Sequence, residues 1–259
     1  MGGRAVWLLV AAMVGCAAGL VHAGPSARIT FATKEVHIRG ARGTISPAAT
    51  GQGLGAGATV ENGAKARSEI TFANRNIARL GSNSSLFLQD GAETMQLREG
   101  AVFFQIPKGS AAQIDTAPVS ITSKGATGIV ERNRNLYIKC LLFEGDVRVS
   151  LPNQVGESIV LEPGQLIIVN PKAAVLPGAV YFNISRAITT CRLLHDFPPL
   201  RGGNLMAEAA QKQANLMKSG DYVSAHLVIF GRGTQVHQDT PKVIAKDARK
   251  PVGKAPAGN

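Results

Sequence analysis

Aromatic side chains make up 5% of this 259-residue chain, with a single tryptophan, and there are only three cysteines. The first shortage removes the stacking platforms on which single-stranded nucleic acids are bound. The second excludes a scaffold built from disulfides, so the fold must rest on a hydrophobic core, for which 45% apolar residues are ample. Charged residues are sparse as well, at 17%. The formal net charge is nonetheless +11, but the cations are spread thinly except in a tail carrying Lys242, Lys246, Arg249, Lys250 and Lys254. A diffuse surplus with no reading element is not a nucleic-acid footprint, and no nucleic-acid partner is expected. Apolar runs of the roughly 20 residues a spanning helix needs are missing, so no transmembrane span is expected in the mature form.

The N-terminus reads as an export signal. Arg4 supplies the positive start, residues 5–20 are uninterrupted by charge, and Val21-His22-Ala23 places compact residues where a signal peptidase cuts. Residues 1–23 are therefore expected to be a signal peptide, and the mature chain to lie in the periplasm or outside the cell. Met13-Val14-Gly15-Cys16 leaves a second processing route open, in which Cys16 is acylated and anchors the chain to lipid. Cleavage after Ala23 leaves Cys140 and Cys191 in a compartment where disulfides persist. Pairing is not favoured, because alternation puts Cys140 on one face with Leu136, Ile138 and Leu142, as a small buried hydrophobe.

From Ala27 onward the apolar period is two. Ile70 and Phe72, Leu86 and Leu88, Val102 with Phe104 and Ile106, Val119 and Ile121, Val147 with Val149 and Leu151, and Leu166 with Ile168 alternate with polar or small neighbours between Gly, Asn, Asp and Pro turns. This predicts a mainly β domain, either an antiparallel β-sandwich or a flattened β-solenoid. An internal echo points to pseudo-symmetry. Leu97-Arg98-Glu99-Gly100-Ala101-Val102 and Leu142-Phe143-Glu144-Gly145-Asp146-Val147 share the scheme L-x-E-G-x-V, each followed by alternation and a proline, at Pro107 and Pro152. The expectation is two equivalent hairpins that turn at Gly100 and Gly145, where glycine permits a positive φ.

Several pieces in this stretch occur together in one known family: residues 36–40 (VHIRG), 53–72, 78–85 (ARLGSNSS), 97–102, 123–127 (SKGAT), 143–147 (FEGDV) and 161–165 (LEPGQ). On these, residues 27–172 resemble a FecR-type domain. The resemblance implies an all-β fold outside the cytoplasmic membrane. Some members relay the state of an outer-membrane receptor to a sigma factor through a cytoplasmic segment and a membrane span. Neither part is recognisable here, so this looks like a stand-alone exported form.

Beyond Leu176 the pattern turns helical. Ser185 is placed to cap a helix reaching Asp196, with Ile188, Cys191 and Leu194 on one side, before Phe197-Pro198-Pro199 breaks it. Asn204 is placed to cap a second helix that ends at Gly220, with a stripe of Leu205, Met206, Ala209, Leu216 and Met217. Residues 173–238 thus read as a pair of capping helices over the β domain, and residues 239–259, rich in Lys, Pro, Ala and Gly, as a disordered basic tail able to contact anionic surface polymers.

Motifs that suggest chemistry are weak. Gly51-Gln52-Gly53-Leu54-Gly55-Ala56 spells a dinucleotide fingerprint but lacks the preceding strand and following helix that would place a phosphate. Cys191 and His195 stand one helical turn apart, as a thiolate and its base would, yet no oxyanion segment surrounds them, and His22, His37, His226 and His237 are too scattered to complete a metal site. Ser123-Lys124-Gly125 has no Ser-x-x-Lys partner. No catalytic, cofactor or metal residue is therefore assigned. The expectation is a non-enzymatic module that needs no cofactor and binds an envelope protein or polysaccharide, with a soluble component of a receptor and sigma-factor signalling system as the alternative.

Overall fold

The computed structural model describes residues 26–89, 93–201 and 203–219. The expected signal peptide with Cys16 and His22, the helix terminator Gly220, His226, His237 and the basic tail lie outside the described residues.

Among the described residues, seventeen strands, numbered β1 to β17 in chain order, hydrogen-bond into one continuous and unclosed network. The network is doubled over into two layers. The first runs β1 (Ala27–Thr33), β6 (Arg67–Phe72), β7 (Ile77–Leu80), the second half of β9 (Thr94–Ile106), β12 (Ala126–Asn133), β13 (Tyr137–Gly145), β16 (Gln165–Val169) and β17 (Val180–Tyr181), with the short β4 (Gly53–Leu54) against β1. The second runs β3 (Ile45–Pro47), β2 (Val36–Arg39), β5 (Thr59–Asn62), β8 (Ser85–Leu88), the first half of β9, β10 (Ala112–Asp115), β11 (Ser120–Ser123), β14 (Val147–Ser150) and β15 (Ser158–Leu161). The chain passes back and forth between layers while advancing along both, so the architecture is a sandwich wound in the manner of a flattened solenoid. The pairings are antiparallel, as expected, with one exception: β10 lies parallel to β9, with Gln113 opposite Thr94 and Asp115 opposite Gln96.

Alternation explains the interior. Val102, Phe104 and Ile106 of β9, with Ile138, Cys140 and Leu142 of β13, point from the first layer into one dry core, and Leu86, Ile114, Ile121, Val147 and Val149 meet them from the second. Each fully buried Leu, Ile or Phe contributes on the order of 2 kcal/mol. Leu136 is no part of this face. It is 63% exposed, in the turn between β12 and β13, where its N–H donates to Asn133 O at 3.0 Å.

The two echoed segments are corners, not hairpins. Before Gly100, β9 pairs with β8 and β10 in the second layer; after it, with β7 and β12 in the first. At Gly145 the chain leaves β13 and enters β14 in the opposite sense. Both glycines take positive φ, +85° and +79°, and neither has room for a side chain. A Cβ on Gly100 would run into Ser84, 2.6 Å from its Cα, and one on Gly145 would lie 2.7 Å from Ala126 Cα. A serine ties each corner: Ser84 Oγ accepts from Ala101 N at 3.0 Å, and Ser123 Oγ donates to Asp146 O at 2.7 Å.

A third layer covers the first. Phe103, Ile129, Leu141, Phe143 and Leu166 face outward from β9, β12, β13 and β16 into a second core closed by Ile184, Ala187, Cys191, Leu193, Phe197 and Met206. Helices supply this cover, but three rather than two. The backbone is extended at Cys191, with φ −79° and ψ 108°, which splits the expected first helix into α1 (Ile184–Thr190) and α2 (Arg192–His195). Its cap is Asn183, whose side chain accepts from Arg186 N at 2.8 Å; Ser185 lies inside the helix. In α3 (Asn204–Lys218), Asn204 is likewise within the first turn, and Gly203 precedes it without a side-chain cap. The buried side of α3 is Met206 and Gln213, flanked by Ala209 and Ala210, while Leu205 and Leu216 of the expected stripe face water.

Candidate functional site

The two outer faces of the sandwich differ in kind. The face under the helices combines its apolar core with buried ion pairs. Arg79, 1% exposed, projects from β7 and donates to Glu69 at 2.8 Å, while its other nitrogens reach Leu193 O at 3.4 Å and Pro198 O at 2.5 Å, both in the helical cover. Its guanidinium also sits 4.9 Å from the Phe197 ring centroid, within cation–π range. Burial pulls the pKa of Arg79 below its ordinary value, and the hydrogen bond and charge of Glu69 oppose that pull. Arg67 bonds Asp196 at 2.9 Å, and Asp196 also receives Arg192 at 3.0 Å. Lys139, fully buried on β13, holds Glu131 at 2.6 Å, and Tyr137 donates to the same carboxylate at 2.7 Å. Apart from Arg192, which pairs within its own helical turn, each of these charges is engaged in holding a strand to a neighbour or the cover to the sheet.

The motifs weighed in the sequence resolve structurally. Cys191 is buried at the α1–α2 break, and desolvation pushes its thiol up to about 11, against backbone hydrogen bonds and the Arg79 charge that pull it down. Burial thus favours the thiol over the reactive thiolate. His195 turns away to Ile188 O at 2.8 Å. Cys140 lies in the inter-layer core, pushed up to about 12 by desolvation alone. The two cysteines occupy different cores and are unpaired. Gly53 and Leu54 form β4, and no helix follows before β5, so the fingerprint at residues 51–56 is a turn and a short strand. Among the described residues, no group of His, Cys, Asp and Glu is placed to hold a metal.

Ser123 and Lys124, by contrast, border a groove shaped to receive something. Across the second layer's open face the register lines up Thr94, Gln113, Thr122, Arg148 and Val160 on five neighbouring strands. These form a shallow groove of about 400 Å³, walled by Lys124 and Asp146 on one side and Glu93 at the end. A parallel row, Gln96, Asp115, Ser120 and Ser150, is internally satisfied: Gln113 Nε2 donates to Asp115 at 3.0 Å and Ser120 Oγ does so at 2.7 Å. The groove escaped the sequence reading because it crosses strands at right angles. Each residue is an ordinary outward-facing member of an alternating strand, and only the register brings them together.

Residues 58–148 match the family model described as FecR protein, inside the stretch on which the resemblance rested, and the chain carries a FecR domain. Among solved structures, the chain is similar to two crystal structures of a candidate anti-sigma factor from Parabacteroides distasonis ATCC 8503. Both are 15% identical with a TM-score of 0.43; one alignment covers 53% of this chain and 71% of that one, the other 60% and 75%. No curated protein matches. No helix among the described residues is long and apolar enough to cross a membrane.

Proposed function

We propose that this chain is an exported, non-catalytic FecR-like module that attaches to another component of the cell envelope through the open face of its second layer. The observation that carries this reading is the contrast between the two outer faces. One is sealed by helices and internal ion pairs; the other leaves a polar, grooved sheet in water, with its hydrogen-bonding side chains turned outward. Export is supported by the N-terminal pattern and by the envelope setting of FecR-type domains.

Two measurements test it. Cell fractionation with intact-mass analysis is expected to find the protein outside the cytoplasm, cut after Ala23 or acylated at Cys16; full-length protein in the cytosol refutes export. A photo-crosslinking residue at Thr122 is expected to trap a partner in cells, whereas one at Glu208 on the exposed side of α3 is not. Equal capture from both positions would remove the open face from consideration. The FecR match also favours a second reading, a soluble partner of a receptor and sigma-factor system, and recovery of a receptor from Thr122 would select it.

A further inference from the structure

We propose that the groove across β9, β10, β11, β14 and β15 binds an acidic polysaccharide, a polymer of hydroxylated sugars that carry carboxylates. This deepens the reading of the open face and rests on it. At the ~4.8 Å spacing of neighbouring strands, the row from Thr94 to Val160 spans about 19 Å, enough for a short stretch of a sugar chain lying across the sheet. The groove is too open to bury a small molecule, but a polymer can lie along it.

The side chains decide the chemistry. Neutral sugars are gripped chiefly by stacking on aromatic rings, and the ring on this face, Phe87, is covered by the Arg98 guanidinium at 4.5 Å. Hydrogen bonds and charge must therefore do the work. The Thr94 and Thr122 hydroxyls make no hydrogen bond among the described residues, and Arg148 spends one nitrogen on Ser158 Oγ at 2.9 Å, leaving the rest of its fork free. Lys124 is exposed and forms no ion pair among the described residues. A guanidinium fork and an ammonium flanking hydroxyls suit carboxylates alternating with sugar hydroxyls.

The basic rim continues past the groove. The turn bearing Lys124 touches the one bearing Lys108, since a Cβ on Gly125 would lie 3.2 Å from Lys108 Cα. That turn is bonded to the next, which bears Arg75, through Ser110 Oγ to Asn76 Oδ1 at 2.8 Å and Asn76 Nδ2 to Ala111 O at 2.9 Å. Arg75 and Lys108 are exposed and, like Lys124, form no ion pair among the described residues. Asp146 and Glu93 stand on the same rim and oppose an anion, so the Asp146→Asn variant is expected to tighten binding.

The test is retardation of the mature full-length protein in native gels containing polygalacturonate, dextran or polyphosphate. Polygalacturonate is expected to retard it most and dextran not at all. The Lys124→Gln/Arg148→Gln variant, which alters exposed side chains only, is expected to weaken the polygalacturonate effect about tenfold or more, and Asp146→Asn to strengthen it. Neutralising the five basic residues of the tail, from Lys242 to Lys254, leaves most of the effect in place. The inference is overturned if the Lys124/Arg148 variant binds as the wild type does, if the tail variant abolishes binding, or if polyphosphate retards as strongly as polygalacturonate. Capture of a protein at Thr122 with no retardation by polygalacturonate overturns this inference alone and leaves the open face as the binding face.

Discussion

Replacing Arg79 with methionine keeps most of the side-chain volume but strips a cation from three acceptors: Glu69 Oε2 at 2.8 Å, Leu193 O at 3.4 Å and Pro198 O at 2.5 Å. Removing one partner of a buried ion pair costs about 3–5 kcal/mol, because the other charge stays behind unpaired. Glu69 keeps the Thr30 hydroxyl at 2.7 Å and its side chain is 12% exposed, which argues for the lower end; the lost contact with the Phe197 ring adds about 1 kcal/mol. The expected destabilisation is therefore about 4 kcal/mol. Glu69→Gln leaves a neutral acceptor in place and should cost about 1–2 kcal/mol, and the Arg79→Met/Glu69→Leu pair should be milder than Arg79→Met alone, since no charge is stranded. Urea unfolding followed by circular dichroism gives the energies, and amide hydrogen exchange gives the location. Protection in α1, α2 and α3 should fall well before that in β9 and β13, because two of the three acceptors belong to the cover. A loss under about 1 kcal/mol with unchanged exchange in the helices, or a double variant as unstable as Arg79→Met, would refute the view that this arginine fastens the cover.

The cysteines set a pH dependence. Below pH 9, their ordinary pKa, both folded and unfolded chains hold both protons; above it the unfolded chain releases them first, because folding raises Cys191 to about 11 and Cys140 to about 12. Their contribution to stability is thus whole below pH 9 and lost as pH rises towards those values, at about 1.4 kcal/mol per cysteine for each pH unit crossed. A Cys191→Val variant should show a shallower decline, and neither thiol should react with a disulfide reagent at pH 8 until urea unfolds the chain. Gly100→Ala meets both a positive φ and Ser84 and should unfold the protein or cost well over 2 kcal/mol, whereas Gly51→Ala, at φ +90° with nothing within 4 Å of the new Cβ, should cost about 1 kcal/mol in the same urea titration. Gln213→Leu takes the amide away from Ile184 N–H and Phe182 O, now held at 2.8 Å and 2.7 Å. A loss of about 2 kcal/mol is expected, with faster exchange confined to α1 and α3.

Alternation made the inner core readable residue by residue: Val102, Phe104, Cys140, Val147 and Val149 all face inward as their period requires. The corners were harder. The L-x-E-G-x-V echo correctly marked Gly100 and Gly145 as special, but a glycine with positive φ serves a hairpin and a layer crossing equally well, and only pairing partners tell them apart. Helix starts failed for a related reason. Ser185 and Asn204 are good capping residues by type, yet Asn183 lay two residues upstream of the first and the chain entered α3 from Gly203 without any side-chain cap. A cap depends on where the preceding backbone arrives, which local preference does not encode. Gln213 was invisible for the opposite cause, since a polar residue in a helix is ordinarily exposed; here it closes two backbone groups that the turn from Phe182 into α1 leaves open.

The difference between the two outer faces is written into the strands themselves. In β13 the run Lys139-Cys140-Leu141-Leu142-Phe143 has no solvent side, the mark of a strand buried from above and below. In β14, Val147-Arg148-Val149-Ser150 alternates cleanly between core and water. These strands are consecutive, joined at the Gly145 corner, so one crossing carries the chain from a wall that requires a cover to a wall that does not. A partner arriving at the covered wall would have to displace Phe182, Ile184, Leu193 and Phe197 and break the Arg79 bonds before touching the sheet. At the open wall it would displace only water, from hydroxyls and from the guanidinium nitrogens that Arg148 does not give to Ser158. The proposed recognition through the second layer would therefore need no rearrangement, and variants such as Arg79→Met, which loosen the cover, should leave crosslinking from Thr122 unchanged as long as the sandwich stays folded.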